Sequence, residues 1–307
     1  MNGHPVYVAT ALGEKSFSAS QIHSLRKIPQ LKFVRAPKPL SVNQFHRLFR
    51  DTRILALTPR TVRRLTSEHL GPLDHLRGIT VFATGVDWVD TDCLARRKII
   101  FTHLKHYATN TVAEHTVGLL LTMSRRLHLS WDRARRSIPR SISVRGSEIK
   151  GKQIGILGYG RIGRAIAKRL KPFSCHLNIR DRTPAQKGLD KWIRPLDVLI
   201  LALSRSFGDP PLIGENELRA AKPTLLIINP SRAALVDNRA VGVALRQHRL
   251  GGYAVDDTIP ELLSQAIEPG RIFQTAHTGW YSTEALGRGL DSWVENILDL
   301  AGRLHDK

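Results

Sequence analysis

The chain has 307 residues, of which 42% are hydrophobic and 24% are charged, a composition typical of a globular protein with room for two domains. Its 47 Lys and Arg residues against 26 Asp and Glu residues give a formal net charge of +21, which attracts small acids, phosphates or nucleic acid. The two cysteines, Cys93 and Cys175, exclude a disulfide framework, and no apolar run approaches the roughly 20 residues of a membrane span. We therefore expect reduced thiols, a cytoplasmic location and no membrane partner.

The first hundred residues alternate short apolar runs with segments of helical pattern. The apolar runs predict strands at residues 5–12, 31–34, 54–57, 79–82 and 99–101. Helices are predicted at residues 41–51, where Ser41 is the N-cap, and at residues 91–97. Strands that alternate with helices favour a parallel α/β sheet.

A single long helix is predicted at residues 110–129. Its apolar positions fit one face of a helix better than the alternation of a strand: Val112, Val117, Leu120, Leu121 and Leu127. A basic loop with Lys105 and His106 precedes this helix, and an Arg- and Ser-rich connection leads from it to Gly146. A second α/β unit is expected to begin at Gly151.

A glycine-rich turn follows a strand predicted at residues 154–157 and precedes a helix predicted at residues 164–170. Gly158 allows the tight turn, Gly160 lets the backbone approach a pyrophosphate, and Gly163 lets the helix pack closely on the strand. The helix N-terminus presents free N–H groups to the phosphates. This context favours dinucleotide binding over a purely structural turn, and Arg161 and Ile162 are predicted to belong to the same binding turn.

Strands and helices continue to alternate after the glycine turn. Further strands are predicted at residues 177–179, 198–203, 225–228, 253–255 and 272–275, and helices at residues 215–221 and 239–248. The sequence therefore predicts an α/β protein with two Rossmann- or flavodoxin-like doubly wound parallel sheets and a cleft between the two domains. Ligands of such sheets bind outside the carboxyl ends of the strands, so the residues that follow each strand are the candidates for function.

Asp181 ends the second strand of this unit, 18 residues beyond Gly163. A carboxylate at this position accepts hydrogen bonds from the ribose hydroxyls of NAD and repels the extra phosphate of NADP. Arg182 and Lys187 are close in sequence and can bind that phosphate, so NAD is favoured and NADP stays open.

Three chemically complementary side chains follow three successive strands, namely Arg232, Glu261 and His277. His277 can donate a proton to a carbonyl oxygen when a hydride arrives at the carbon, and Glu261 can favour its protonated form. Arg232 can bind the carboxylate of a 2-oxo acid through its planar donor fork. Backbone N–H groups at Thr84, Gly85 and Val86 are candidates for the other side of that carboxylate.

With these motifs the sequence resembles the D-isomer-specific 2-hydroxyacid dehydrogenase family. The resemblance is carried by the loop at residues 83–90, the segment Val112-Ala-Glu-His115, the glycine turn, Asn229-Pro-Ser-Arg232 and His277. It implies a substrate-binding domain at residues 1–106 and 284–307, an NAD-binding domain at residues 107–283, and a homodimer. It also assigns Asn229, Ser231 and Asp256 to the cofactor. Three departures from the family pattern are Ala233 for glycine, Ala276 for proline, and Pro260 placed before Glu261.

The segment from His277 to Ser282 is similar to that of C-terminal-binding-protein-like members of the family, in which the tryptophan borders the substrate pocket. Trp280 is accordingly a candidate for substrate binding or for packing. An arginine that helps to bind substrate in those proteins corresponds to Val81 here.

The leading hypothesis is an NAD-dependent dehydrogenase acting on a 2-hydroxy acid/2-oxo acid pair. Two interpretations of Lys105 and His106 are open: they bind a second anionic group of the substrate, or they belong to a solvated loop. A second function stays open, an NAD(H)-sensing corepressor-like scaffold or nucleic-acid-associated regulator, because of the charge of +21 and the Trp280 motif. The set Arg232, Glu261 and His277 favours the enzyme, so no nucleic-acid partner is expected.

Overall fold

The computed structural model describes residues 5–181, 188–204 and 209–305 of the chain. These form two compact units. One contains the described residues of 1–107 and 282–307, and the other contains those of 108–205 and 209–281. Each unit has its own sheet and its own hydrophobic core.

The strands in chain order are β1 Val6–Thr10, β2 Leu31–Arg35, β3 Ile54–Leu57, β4 Gly78–Val81, β5 Ile100–His103, β6 Gln153–Leu157, β7 His176–Arg180, β8 Val198–Leu201, β9 Leu226–Asn229, β10 Gly252–Val255 and β11 Ile272–Gln274. The α-helices are α1 Ala19–Leu25, α2 Val42–Phe49, α3 Ser67–Leu70, α4 Thr91–Arg96, α5 Thr109–Ser124, α6 Leu127–Ala134, α7 Arg161–Leu170, α8 Leu189–Ile193, α9 Glu215–Ala220, α10 Asn238–Arg246, α11 Pro260–Leu263 and α12 Thr283–His305.

The first unit has a parallel sheet in the order β2-β1-β3-β4-β5, which is the flavodoxin-like order. Phe45 and Phe49 of α2 pack on one face of this sheet. On the other face Trp293 of α12 stacks on Phe17, with ring centroids 5.8 Å apart. Gly78 of β4 lets α12 pack closely on the sheet, because a Cβ atom there would lie only 2.9 Å from the side chain of Leu300 in this helix. The last helix is therefore part of the core of this unit.

The second unit has a parallel sheet in the order β11-β10-β9-β8-β6-β7. Alternate side chains of its strands point to opposite faces. Ile156 and Ile200 join a core with α5 and α7, whereas Leu157 and Leu201 join a core with α8, α9 and α10. Both faces are covered, so inner strands such as β8 are continuous apolar runs, whereas the edge strand β7 is partly exposed. The predicted fold class, with two doubly wound parallel sheets, is confirmed.

The prediction of a single helix at residues 110–129 is wrong, because the chain forms two helices there, α5 and α6. Arg126 has a left-handed backbone with φ 50°, which ends the first helix. The carbonyl of Ser124 instead accepts a hydrogen bond from the N–H of Ser147 at 2.7 Å. Gly146 allows this approach, because a Cβ atom there would lie 2.5 Å from the same carbonyl oxygen. Leu127, predicted on the apolar face, is 51% exposed.

Across the described residues, none of the helices combines the length and apolar character needed to cross a membrane.

Candidate functional site

The glycine turn joins β6 to α7. Gly158 has φ +98°, and a Cβ atom there would lie 2.5 Å from the carbonyl oxygen of Ala202, so no other residue fits the turn. A Cβ atom at Gly163 would overlap the carbonyl oxygen of Gly158. Gly160 is the N-cap residue of α7, with extended backbone, and a Cβ atom there would meet no atom within 4 Å. Two glycines therefore serve the packing of the turn, and the third keeps the helix N-terminus open.

The two residues between the last glycines begin α7. Arg161 is exposed, whereas Ile162 is half-buried and packs on the core between the sheet and this helix. The ten-residue helix begins with N–H groups that have no partner within the helix. The N-terminus of α7 is thus available to an anion at the glycine turn.

Asp181 lies directly after β7 and is exposed. Its Oδ1 atom accepts a hydrogen bond of 3.5 Å from the backbone N–H of Tyr159, within the glycine turn. The carboxylate is thereby placed beside the turn, as the sequence spacing predicts. Arg182 and Lys187, the alternative partners for an extra phosphate, lie outside the described residues.

The loops that follow neighbouring strands meet at the carboxyl edge of this sheet. Each is tied to the end of an adjacent strand: Gly158 N–H to Arg180 O (2.8 Å), Ala202 N–H to Leu157 O (2.8 Å), Ser231 Oγ to Leu201 O (2.9 Å), Asp256 N–H to Asn229 O (3.0 Å) and Thr275 N–H to Val255 O (3.0 Å). The edge is the place where ligands of such sheets bind. The sequence-predicted residues of this unit therefore follow strands that end at one edge.

A fully buried amide closes the turn that carries Arg232. Asn229 Nδ2 donates hydrogen bonds to the carbonyl of Arg232 at 2.7 Å and to Tyr253 Oη at 3.1 Å. Its Oδ1 atom accepts a hydrogen bond of 3.1 Å from the N–H of Ser231. The N–H of Ala233 donates to Asp257 Oδ2 at 3.3 Å. The backbone of Arg232 is thus held on both sides.

Asp256 is 4% exposed and holds the turn that follows β11. Its carboxylate accepts hydrogen bonds from Thr275 Oγ1 at 2.7 Å, from the N–H of Thr278 at 2.8 Å and from the N–H of Gly279 at 2.6 Å. His115 of α5 lies beside it, with Nε2 3.6 Å from Asp256 Oδ1 and 3.2 Å from Thr275 Oγ1. The buried carboxylate is therefore satisfied by groups of its own unit.

His277 lies within the turn that Asp256 holds, and its side chain is exposed. Its backbone has φ 56°, a left-handed conformation that costs a non-glycine residue on the order of 1–3 kcal/mol. The two hydrogen bonds from the next N–H groups to Asp256 keep the chain in this conformation.

Glu261 lies in the short helix α11 and is exposed. Within the part of the chain that the structure describes, its carboxylate makes no hydrogen bond or ion pair, and the structure does not join it to His277. Trp280 is half-buried and packs edge-on against Tyr281, with ring centroids 5.1 Å apart.

The remaining candidates lie in the first unit. Thr84 is exposed after β4, and Gly85 and Val86 are half-buried. The indole N–H of Trp88 donates to the carbonyl of Gly85 at 3.0 Å, and the N–H of Val89 donates to the carbonyl of Val86 at 2.9 Å. These bonds use the carbonyl groups of the loop, which therefore has a defined shape.

The basic loop after β5 presents Lys105 and His106 to solvent. His103, at the end of that strand, is half-buried, and its Nδ1 lies 3.1 Å from the carbonyl oxygen of Leu104. Burial lowers the pKa of His103, and the positive charge of Lys105 lowers it further. The loop thus combines two exposed basic side chains with an imidazole that favours its neutral form.

Three residues that hold the site together were not predicted from the sequence, namely Tyr253, Thr275 and His115. The role of Tyr253 could have been noticed, since a tyrosine within a buried strand needs a partner for its hydroxyl. Thr275 and His115 carry no such signal, because their contacts with Asp256 join distant parts of the chain. Among the described residues, no group of three or more His, Cys, Asp or Glu side chains is arranged to hold a metal ion.

A doubly wound sheet with a glycine turn at its carboxyl edge defines a dinucleotide-binding protein of the α/β class. Residues 117–279 match the family model of the D-isomer specific 2-hydroxyacid dehydrogenase, NAD binding domain. The chain belongs to this family. The predicted resemblance to the family is therefore confirmed, and so is the predicted NAD-binding function of the second unit.

Two relatives and one solved structure are similar over most of the chain. The sequence is 30% identical to glycerate dehydrogenase of Methylorubrum extorquens, over 76% of this chain and 78% of that protein. It is 29% identical to glyoxylate reductase of Pyrococcus furiosus, over 89% of this chain and 82% of that protein. An NADPH-dependent glyoxylate/hydroxypyruvate reductase of Sinorhizobium meliloti, solved in complex with NADP and malonate, has the same fold with a TM-score of 0.78 at 23% identity, over 96% of this chain and 93% of that chain.

Proposed function

We propose that this chain is an NAD(H)-dependent oxidoreductase that interconverts a 2-oxo acid and a D-2-hydroxy acid. One observation carries the proposal: the glycine turn, the Arg232 turn and the His277 turn are held at the carboxyl edge of one sheet. These turns supply a dinucleotide site, an anion-binding side chain and a proton donor. Two similar proteins are named glycerate dehydrogenase and glyoxylate reductase, and both names describe reactions of this class.

The residues present fit a dinucleotide. The open space at Gly160 leaves room for a pyrophosphate against the N-terminus of α7. When bound, the reduced nicotinamide supplies a hydride. Asp181 is set beside the turn to accept hydrogen bonds from ribose hydroxyls, which favours NAD, while NADP remains the alternative. Asn229, Ser231 and Asp256 are proposed to shape the cofactor site, chiefly by fixing the turns around it.

Arg232 and His277 perform the two charge-dependent tasks of the reaction. Arg232 binds the substrate carboxylate through paired N–H donors and draws electron density from the adjacent carbonyl. His277 gives its proton to the carbonyl oxygen as the carbon accepts the hydride, and it takes the proton back from the hydroxyl in the reverse direction. The net charge of +21 favours the approach of an anionic substrate.

Glu261 is proposed to pair with His277 during the reaction. Its side chain is exposed and without a hydrogen bond within the described chain, so it must turn towards the imidazole to do this. A carboxylate beside the ring favours the imidazolium form. Glu261→Gln should therefore move the pH profile of reduction to lower pH, and an unchanged profile would remove Glu261 from the mechanism.

In the first unit, the N–H groups of Thr84, Gly85 and Val86 are proposed to bind the substrate carboxylate. Lys105 and His106 extend this proposal to substrates with a second anionic group, because both are exposed on the loop after β5. The first unit, predicted at residues 1–106 and 284–307, is thus proposed as the substrate-binding domain, and residues 107–283 as the NAD-binding domain.

Trp280 is proposed to border the substrate, as the resemblance of its segment to C-terminal-binding-protein-like proteins implies. The half-buried ring and the edge-on contact with Tyr281 support a fixed position. A homodimer and a cytoplasmic location remain predictions. The scaffold or nucleic-acid-associated regulator is not favoured, since the similar proteins are named as enzymes.

A panel of 2-oxo acids, assayed with NADH and with NADPH, tests the proposed function. We expect consumption of the reduced cofactor with at least one 2-oxo acid, and a higher kcat/KM with NADH. Arg232→Lys should raise KM, because a single ammonium cannot reproduce the paired donors of the guanidinium. Consumption with no member of the panel by a protein that binds NADH would overturn the proposal.

A further inference from the structure

Tyr253 is a tyrosine in the middle of the short buried strand β10. The residue is 0% exposed, and its ring belongs to the apolar core on the α10 face of the sheet. A buried hydroxyl needs a hydrogen-bond partner, because leaving it unsatisfied costs stability that an apolar side chain would not lose. Burial also raises the pKa of Tyr253, so the hydroxyl stays neutral. Tyr253 therefore acts as a neutral polar group within this core.

The partner of the hydroxyl is the amide of Asn229, which is itself 0% exposed. Asn229 ends the neighbouring parallel strand β9. Both N–H groups of this amide are used within the chain, one for Tyr253 Oη at 3.1 Å and one for the carbonyl of Arg232 at 2.7 Å. Together with the N–H of Ser231, which donates to Oδ1, Tyr253 thus fixes the plane and the orientation of the amide that closes the Arg232 turn.

The other side of the Arg232 turn is also tied to the segment that includes β10. The N–H of Ala233 donates to Asp257 Oδ2, and Asp257 comes two residues after the end of that strand. The turn that carries Arg232 is therefore held by Asp257 directly and by Tyr253 through Asn229. A side chain that must meet a carboxylate gains from a backbone fixed beforehand, because less freedom is lost on binding.

We propose that Tyr253 is a positioning residue for substrate binding, which acts through Asn229 on the backbone of Arg232. The inference rests on the proposed carboxylate-binding role of Arg232. Without the hydroxyl, the Asn229 amide loses one of its three hydrogen bonds and is held less firmly against the Arg232 carbonyl, so the guanidinium is distributed over more positions. The loss appears in the binding of the 2-oxo acid and leaves the glycine turn unaffected.

The test is a double-mutant cycle on the full chain with Tyr253→Phe and Arg232→Lys. Tyr253→Phe keeps the ring in the core and removes only the hydroxyl. We expect kcat/KM for the 2-oxo acid to fall about tenfold, the loss of one hydrogen bond to a buried group, mainly through KM. The dissociation constant of NADH should change by a smaller factor than KM, because Tyr253→Phe does not touch the glycine turn that is proposed to hold the pyrophosphate and ribose. In the Arg232→Lys background the same change should have no further effect.

Failure of the Tyr253 role and failure of the proposed function give different results. If Arg232→Lys itself leaves kcat/KM unchanged, the proposed function fails. If Arg232→Lys lowers it but Tyr253→Phe does not, or if the two effects simply add, the positioning role is refuted. Tyr7→Phe, which removes a hydroxyl from a strand of the other unit, is the matched control and should change neither constant.

A second variant keeps the test decisive if Tyr253→Phe does not fold. Asp257→Ala removes the other tie to the Arg232 turn from a half-buried loop position. It should raise KM for the 2-oxo acid in the wild-type background and not in the Arg232→Lys background. Equal effects in both backgrounds would overturn the proposal that the segment from Tyr253 to Asp257 fixes the arginine.

Discussion

Replacing Gly160 by alanine separates the binding function of the glycine turn from its packing. Gly160 is the N-cap residue of α7 with φ −69°, a value that alanine adopts without strain. The added methyl group would meet no protein atom within 4 Å. Alanine is a poorer N-cap residue than glycine, so we expect a loss of no more than about 1 kcal/mol in the free energy of unfolding.

The same methyl group would occupy the space proposed for the pyrophosphate. Moving the phosphates away from the helix N-terminus weakens at least one charge-assisted hydrogen bond, a loss of about 1.5–3 kcal/mol. At 1.4 kcal/mol per tenfold change, the dissociation constant of NADH should rise about 10- to 150-fold. Fluorescence titration with NADH measures this constant, and urea denaturation measures the stability.

Gly163→Ala is the matched control, since its methyl group would overlap the carbonyl oxygen of Gly158. Overpacking of this kind costs roughly 1–3 kcal/mol, so this variant should lose stability as well as NADH binding. If Gly160→Ala binds NADH as tightly as the wild type, the pyrophosphate does not lie against α7. A loss of stability equal to that of Gly163→Ala would show that the space at Gly160 is not open.

Three further predictions concern the proton donor, the basic loop and the pH dependence of stability. His277→Ala should lose turnover and keep NADH binding, because the imidazole supplies the proton and not the cofactor site; wild-type turnover would refute its role. Lys105→Ala should raise KM for doubly anionic 2-oxo acids and leave KM for singly anionic ones unchanged, as measured by steady-state kinetics. Equal effects on both kinds of substrate would refute the proposal that Lys105 binds a second anionic group. The free energy of unfolding in urea should fall as the pH drops below about 6.5. Burial lowers the pKa values of His69, His103 and His128. As the pH falls, the unfolded chain therefore binds protons before the folded chain does, and the stability that is present above a pH of about 6.5 is lost. A free energy that rises on acidification would contradict this account.

The strands were predictable because both faces of each sheet are covered. A strand such as β8 is a run of aliphatic residues, and flanking polar or glycine residues show where it ends. Short helices were not predictable in the same way. Helices α8 and α11 have five and four residues, too few for a helical period to appear in the sequence. The break between α5 and α6 depends on the contact of Ser124 with Ser147, which no local pattern indicates.

The candidate site was predictable to the level of strand ends. Parallel strands end at one edge, so the order of the chain alone indicates that Asp181, Arg232 and His277 follow strands at the same edge of the sheet. The partners of Asp256 were not predictable, because the carboxylate accepts hydrogen bonds from a turn 19 to 23 residues further along. Its position after a predicted strand makes Glu261 a candidate acid, but that position cannot say which way an exposed side chain turns.

The proposed reaction is the transfer of a hydride to the carbonyl carbon of a 2-oxo acid. It can be followed with NADH deuterated at the transferred position and a 2-oxo acid that the chain turns over, with the product analysed by nuclear magnetic resonance and by chiral chromatography. We expect the D-2-hydroxy acid with deuterium on the former carbonyl carbon, and no product from His277→Ala. A 2-hydroxy acid without deuterium, a product of the L configuration, or no product with any 2-oxo acid despite NADH binding would refute the proposed reaction.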